Sequence, residues 1–72
     1  MFYLVTEKDG RISKVAYRSE EEVCIDFFRK VSDIISGFDR RHKVVIENYN
    51  CDFGNGTKMY IEKVRPEVRH IL

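Results

Sequence analysis

Phe2-Tyr3-Leu4-Val5-Thr6, Glu7-Lys8-Asp9-Gly10-Arg11 and Ile12-Ser13-Lys14-Val15-Ala16-Tyr17 follow one another without a break and together specify a β-hairpin from which the architecture is built. The two outer runs are rich in aromatic and β-branched side chains, which suit a pleated, half-buried surface. Between them, Gly10 adopts positive φ with no Cβ penalty and Asp9 tolerates it, so the pair predicts a hairpin with a two-residue turn. That turn sets Phe2 opposite Tyr17 and Leu4 opposite Val15, and these four then share the predicted core face. The other face collects Tyr3, Val5, Ile12 and Ala16 with Glu7 and Lys14, which is more apolar than a solvated face needs. A three-residue turn with a bulge would exchange the two sets, because a slip of one residue exchanges faces.

Downstream, Ser19 precedes Glu20, Glu21 and Glu22. A serine hydroxyl accepts from the orphan amides of a first helical turn, Glu22 stands at the capping-box position, and the acidic triplet suits the positive end of the helix dipole. Cys24, Phe27, Phe28, Val31, Ile34 and Ile35 recur at spacings of three and four, with Asp26, Arg29, Lys30 and Asp33 on the other side. Gly37 is placed to end the helix in the left-handed conformation. The spacing predicts an amphipathic helix over residues 20–36, its aromatic stripe packed in the core.

After the polar turn Asp39-Arg40-Arg41-His42, residues 43–49 carry the aliphatic run Val44-Val45-Ile46 and predict a strand buried on both sides. Residues 57–64 predict another, with Met59 and Ile61 on one face and Tyr60 on the other. The segment between, Asn50-Cys51-Asp52-Phe53-Gly54-Asn55-Gly56, is dense in turn formers, and Asn55-Gly56 suits a type I′ turn. The register of this second hairpin is left open, since several pairings give comparable faces. Pro66 fits the first turn of a short C-terminal helix, with Val68, Ile71 and Leu72 at compatible spacing and an apolar end that suggests a docked terminus. The expected fold is therefore α+β: a single domain over residues 1–72, in two layers ordered β-β-α-β-β, with a four-stranded mainly antiparallel sheet and one amphipathic helix on one face.

Seventy-two residues allow one core, and a chain of this size buries only about 60% of its unfolded surface. Small domains often add disulfides, metals or a second copy of themselves. Cysteine occurs only at Cys24 and Cys51, which reads as two reduced thiols rather than a bridge. There is no signal-peptide pattern and no apolar run near the ~20 residues that span a bilayer, so the expected setting is cytoplasmic, with no membrane partner. Thirteen Lys and Arg against twelve Asp and Glu give a formal net charge of +1, so charge-driven binding must be local.

No motif carries catalytic chemistry. Asp52-Phe53-Gly54 matches a kinase metal-binding triplet without the remainder of that signature. Gly54-Asn55-Gly56 precedes a strand-like segment, whereas phosphate-cradling glycines lead into a helix. Asn55-Gly56-Thr57 is a formal glycosylation sequon, which has meaning only in a secreted chain. His42, His70, Cys24 and Cys51 form no pair at zinc-ligand spacing, so no metal or other cofactor is expected. A Cys51 or serine nucleophile would need His42 or His70 beside it. Glu47 and Glu62 would make an acid and base pair only on adjacent strands. The chain therefore reads as non-enzymatic.

Three binding modes follow. The foremost is a protein-interaction module, a homodimer that binds or inhibits another macromolecule through the face carrying Tyr3, Val5, Ile12 and Ala16. The second is nucleic-acid binding by Arg40-Arg41-His42-Lys43 together with Arg65 and Arg69, with Tyr49, Phe53 or Tyr60 as stacking surfaces. The third is a small anionic, nucleotide-like ligand held at an oligomer interface.

Overall fold

A computed structural model of the chain describes residues 1–64. The C-terminal turn expected after Pro66, together with Arg65, Arg69 and His70, lies outside the described residues.

Asp9 and Gly10 both take positive φ, +50° and +79°, as a two-residue type I′ turn requires. The turn joins β1 (Phe2–Lys8) to β2 (Arg11–Tyr17). Phe2 pairs with Tyr17 and Leu4 with Val15, so the predicted register holds. Ser19 caps α1 (Glu20–Ile35), its hydroxyl accepting from the Glu22 amide at 3.2 Å. The helix ends one residue short of the expected bound, with Ser36 as its C-cap, and Gly37 is not among the residues with positive φ.

The second half of the sheet corrects the expected strand count. Residues 43–49 are not one strand: β3 (Val45–Glu47) turns at Asn48 and Tyr49, both at positive φ, into β4 (Asn50–Asp52), which occupies part of the expected loop. A loop at Gly54, Asn55 and Gly56 then leads to β5 (Thr57–Lys63). This loop is not the expected type I′ turn, since Gly54 and Gly56 take positive φ and Asn55 does not. It is closed by the Phe53 amide donating to the Thr57 carbonyl and by Asp52 and Asn55 side chains accepting from the Gly54 and Thr57 amides. The result is one antiparallel sheet of five strands in the order β2-β1-β5-β4-β3, an α+β fold with a single helix among the described residues.

α1 lies over β5 and β1 and less over β2. Leu4, Val23, Phe27, Val31, Cys51, Phe53 and Met59 form the buried cluster between helix and sheet, with Phe2, Tyr17, Ile34, Ile35, Phe38 and Ile61 packed against it. Val23, outside the predicted stripe, is fully buried and completes the helix's inner face. Phe28, assigned to that face, is 51% exposed and lies edge-on to Phe27 and Tyr49 instead. Val15 points to the helix side as its register demands yet stays 46% exposed, because α1 leaves the outer strand largely uncovered. β3 is exposed along its length rather than buried on both sides, since it forms the far edge.

Candidate interaction surface

The sheet face away from α1 is set by register. Across β2, β1 and β5 it carries the row Ala16, Tyr3, Glu62, then Lys14, Val5, Tyr60, then Ile12, Glu7, Lys58. Lys14 and Glu62 stand on opposite sides of β1, and their side chains meet at 3.0 Å. The bridge therefore passes over β1 between Tyr3 and Val5, with the Lys14 ammonium 5.9 Å from the centre of the Tyr3 ring. The Glu62 carboxylate, as hydrogen-bond acceptor and as opposite charge, raises the pKa of Lys14.

This arrangement divides the four residues that the sequence groups together. Val5 is fully buried within its own chain and Tyr3 is half-buried, whereas Ile12 is 60% exposed and Ala16 is exposed as well. The accessible apolar residues both lie on β2, an edge strand. Open surface on this face thus shifts from the sheet centre to its margin.

The margin carries backbone as well as side chains. In a two-residue hairpin the residues flanking the turn, Lys8 and Arg11, form a hydrogen-bonded pair, and hydrogen-bonded and non-hydrogen-bonded pairs alternate from there. Arg11, Ser13, Val15 and Tyr17 therefore direct their amides and carbonyls toward β1. Ile12, Lys14 and Ala16 direct theirs outward, where no strand pairs with β2 among the described residues. Every residue from 11 to 16 is exposed. β3, at the other edge, offers only three residues.

The second candidate cluster separates differently. Arg40, Arg41 and Lys43 are exposed in the loop after α1, but His42 is turned inward. Its ring packs on Phe38 at 4.2 Å between centroids, and Nε2 donates to the Phe53 carbonyl. Phe38 in turn meets Phe53 edge-on at 6.1 Å. His42 ties this loop to the β4–β5 loop, so it is a structural residue and not one of a set of four cations. Phe53 is fully buried, so its ring is no stacking surface. Tyr49 is exposed but leans on Phe27 and Phe28, with Cys24 and Glu20 beside it raising the pKa of its phenol.

Glu47 and Glu62, considered as an acid and base pair, stay apart. They lie on β3 and β5 with β4 between them, and Glu62 is held by Lys14. Cys51 is buried, and burial together with the neighbouring Asp52 charge pushes its thiol pKa up, away from the reactive thiolate. Cys24 and Cys51 are both free thiols. Among the described residues no group of three His, Cys, Asp or Glu side chains is placed to hold a metal ion, and no helix is long and apolar enough to cross a membrane. An open groove of about 700 Å³ lies on the helix side of the first hairpin, lined by Thr6, Lys8, Asp9, Arg11 and Ser13.

No protein-family model, no curated protein and no solved structure matches the chain.

Proposed function

We propose that the chain is a non-enzymatic association module that engages another protein by strand addition along the outer edge of β2. One observation carries this reading: a seven-residue edge strand, exposed from residue 11 to residue 16, whose outward backbone groups at Ile12, Lys14 and Ala16 have no pairing strand among the described residues. Such a row of donors and acceptors is a template for another strand, and proteins that do not use it blunt it by shortness, charged side chains, proline, bulges or cover. β3 is blunted by shortness. β2 has no proline, its regular one-to-one register with β1 leaves no room for a bulge, and its mid-strand cation, Lys14, is drawn inward over the sheet by Glu62 at 3.0 Å. Ile12 and Ala16 flank the outward groups on the open face, where an added strand would bury them.

The test uses a peptide of sequence Arg11-Ile12-Ser13-Lys14-Val15-Ala16-Tyr17 as the strand probe against isotope-labelled full chain, followed by amide chemical shifts. Strand addition predicts shifts concentrated on β2, largest at Ile12, Lys14 and Ala16, and their loss in the Ile12→Lys, Ala16→Lys double variant. Peptide at ~1 mM, where even about 4 kcal/mol of binding free energy registers, producing no shift on β2 would sink the reading. Salt-sensitive binding of a single-stranded oligonucleotide, abolished by Arg40→Glu with Arg41→Glu while β2 stays silent, would replace it with nucleic-acid recognition.

A further inference from the structure

The register of β2 points to one particular occupant of its edge, and we infer that it is a second copy of this chain, paired antiparallel about a twofold axis passing beside Lys14. This rests on the strand-addition reading above.

Two copies of β2 related by a twofold axis normal to the sheet keep their faces aligned, so residue pairs must sum to an even number. Three registers give the outward groups at Ile12, Lys14 and Ala16 two or more mutual pairs, centred on Ser13, Lys14 or Val15. Centring on Ser13 leaves Ala16 facing the turn glycine of the other copy and sets Arg11 against the partner's Val15. Centring on Val15 runs Ile12 past the strand end to the partner's Arg18. Only the register centred on Lys14 uses the whole of Arg11–Tyr17. It forms three hydrogen-bonded pairs, Ile12 with the partner's Ala16, Lys14 with the partner's Lys14, and Ala16 with the partner's Ile12. Each such antiparallel pair exchanges two backbone bonds.

Side chains agree with this choice on both faces. On the open face the exposed Ile12 meets the partner's Ala16 twice over, which covers the accessible apolar residues of the candidate surface. On the helix side Arg11 stands beside the partner's Tyr17, a cation next to an aromatic ring, and Ser13 stands beside the partner's Val15. The one like-charge contact is Lys14 with its symmetry mate, and each ammonium is already held at 3.0 Å by Glu62 of its own chain. Charge that would repel across the axis is thus neutralised within each copy. Glu62 is therefore a positioning residue for the dimer: it withdraws Lys14 along the open face toward β5 and away from the axis.

Single-cysteine cross-linking reads the axis directly. A residue on the axis faces itself at a Cα separation of about 4.5 to 5.5 Å, inside the roughly 4.4 to 6.8 Å that a disulfide spans. Lys14→Cys, Ser13→Cys and Val15→Cys are made separately in a Cys24→Ala background, where buried Cys51 remains, and oxidised alongside that background as control. The expected result is a covalent dimer from Lys14→Cys at least tenfold faster than from the other two, and none from the control. Sedimentation of the wild-type chain should show dimer, weakened in Glu62→Gln and restored by adding Lys14→Gln to it. If Ser13→Cys or Val15→Cys cross-links fastest, the register is overturned and strand addition stands. A monomeric chain with no cross-link at any position, while the strand peptide still shifts β2, overturns the second copy as occupant and leaves the edge to a different protein. Failure of both peptide and cross-link removes the underlying reading as well.

Discussion

Gly54 carries two constraints that meet at one missing atom. Its φ of +72° lies in the left-handed region, and a Cβ there would come within 2.7 Å of the Lys43 carbonyl oxygen and 3.4 Å of His42 Nε2. The first constraint is intrinsic to the backbone and costs an L-residue roughly 1 to 2 kcal/mol. The second exists because His42 draws the α1–β3 loop onto the β4–β5 loop by its bond to the Phe53 carbonyl. Gly10 separates the two, since it has φ +79° and nothing within 4 Å of an added Cβ. Gly10→Ala is expected to lower unfolding free energy by about 1 kcal/mol, and Gly54→Ala by a further 1 kcal/mol or more, toward the ~3 kcal/mol of a strained site. Urea unfolding of both variants checks this, and equal losses would mean that the loop simply moves aside. None of this was legible in the sequence. Gly54-Asn55-Gly56 announced a turn, but Arg40-Arg41-His42-Lys43 read as a uniform cationic loop because nothing local distinguishes a histidine that folds inward from its solvated neighbours.

Elements show why one half of the sheet was readable and the other was not. Asp9-Gly10 is a dipeptide whose backbone preference alone selects a two-residue turn, and the register of β1 and β2 follows from it without tertiary help. The turn between β3 and β4 rests on Asn48 and Tyr49 at φ +48° and +60°. Asparagine tolerates that region but tyrosine does not favour it, and what accompanies it is distant in sequence: the edge-on packing of Tyr49 against Phe27 and Phe28 of α1. A strand pattern running through residues 43–49 therefore concealed a hairpin. The contact between α1 and β2 is of the same non-local kind. Tyr17 donates a hydrogen bond to Asp26 at 2.5 Å, and that bond, with burial and the carboxylate's charge adding to it, pushes the phenol's pKa up to about 12 from 10.0. A raised pKa means that folding favours the protonated phenol. The bond's contribution is complete below pH 10 and is lost as pH rises from 10 toward 12. Tyr17→Phe is accordingly expected to be less stable than wild type below pH 10, and the difference in urea midpoint should shrink toward zero across pH 10 to 12. A constant difference over that range would show that the hydroxyl acts by packing instead.

Across the whole molecule, protection should grade from the middle of the sheet outward. The two strands of seven residues at and beside the centre, β1 and β5, pair with neighbours on both sides and lie under α1, whereas β3 and β4 contribute three residues each. Amide exchange in the core strands is therefore expected to be slowest and to approach the global unfolding free energy, with β3 among the fastest. β2 is the informative case because its two sets of amides have different partners. Those of Ser13 and Val15 bond to β1 and are expected to be protected at any protein concentration. Those of Ile12, Lys14 and Ala16 point outward and should exchange freely in dilute solution, giving a slow-fast alternation along one strand. The paired edge makes the alternation depend on concentration: as copies associate, the outward amides acquire carbonyl partners and should slow by the factor set by the dimer fraction, while β1 and β5 gain less because they are already closed. Exchange followed at two protein concentrations a hundredfold apart checks this. A concentration-independent alternation would remove a second copy of this chain as the occupant of the edge. Uniformly fast exchange along β2 would instead mean that the outer strand is not held by β1, and the edge on which the association argument stands would be lost with it.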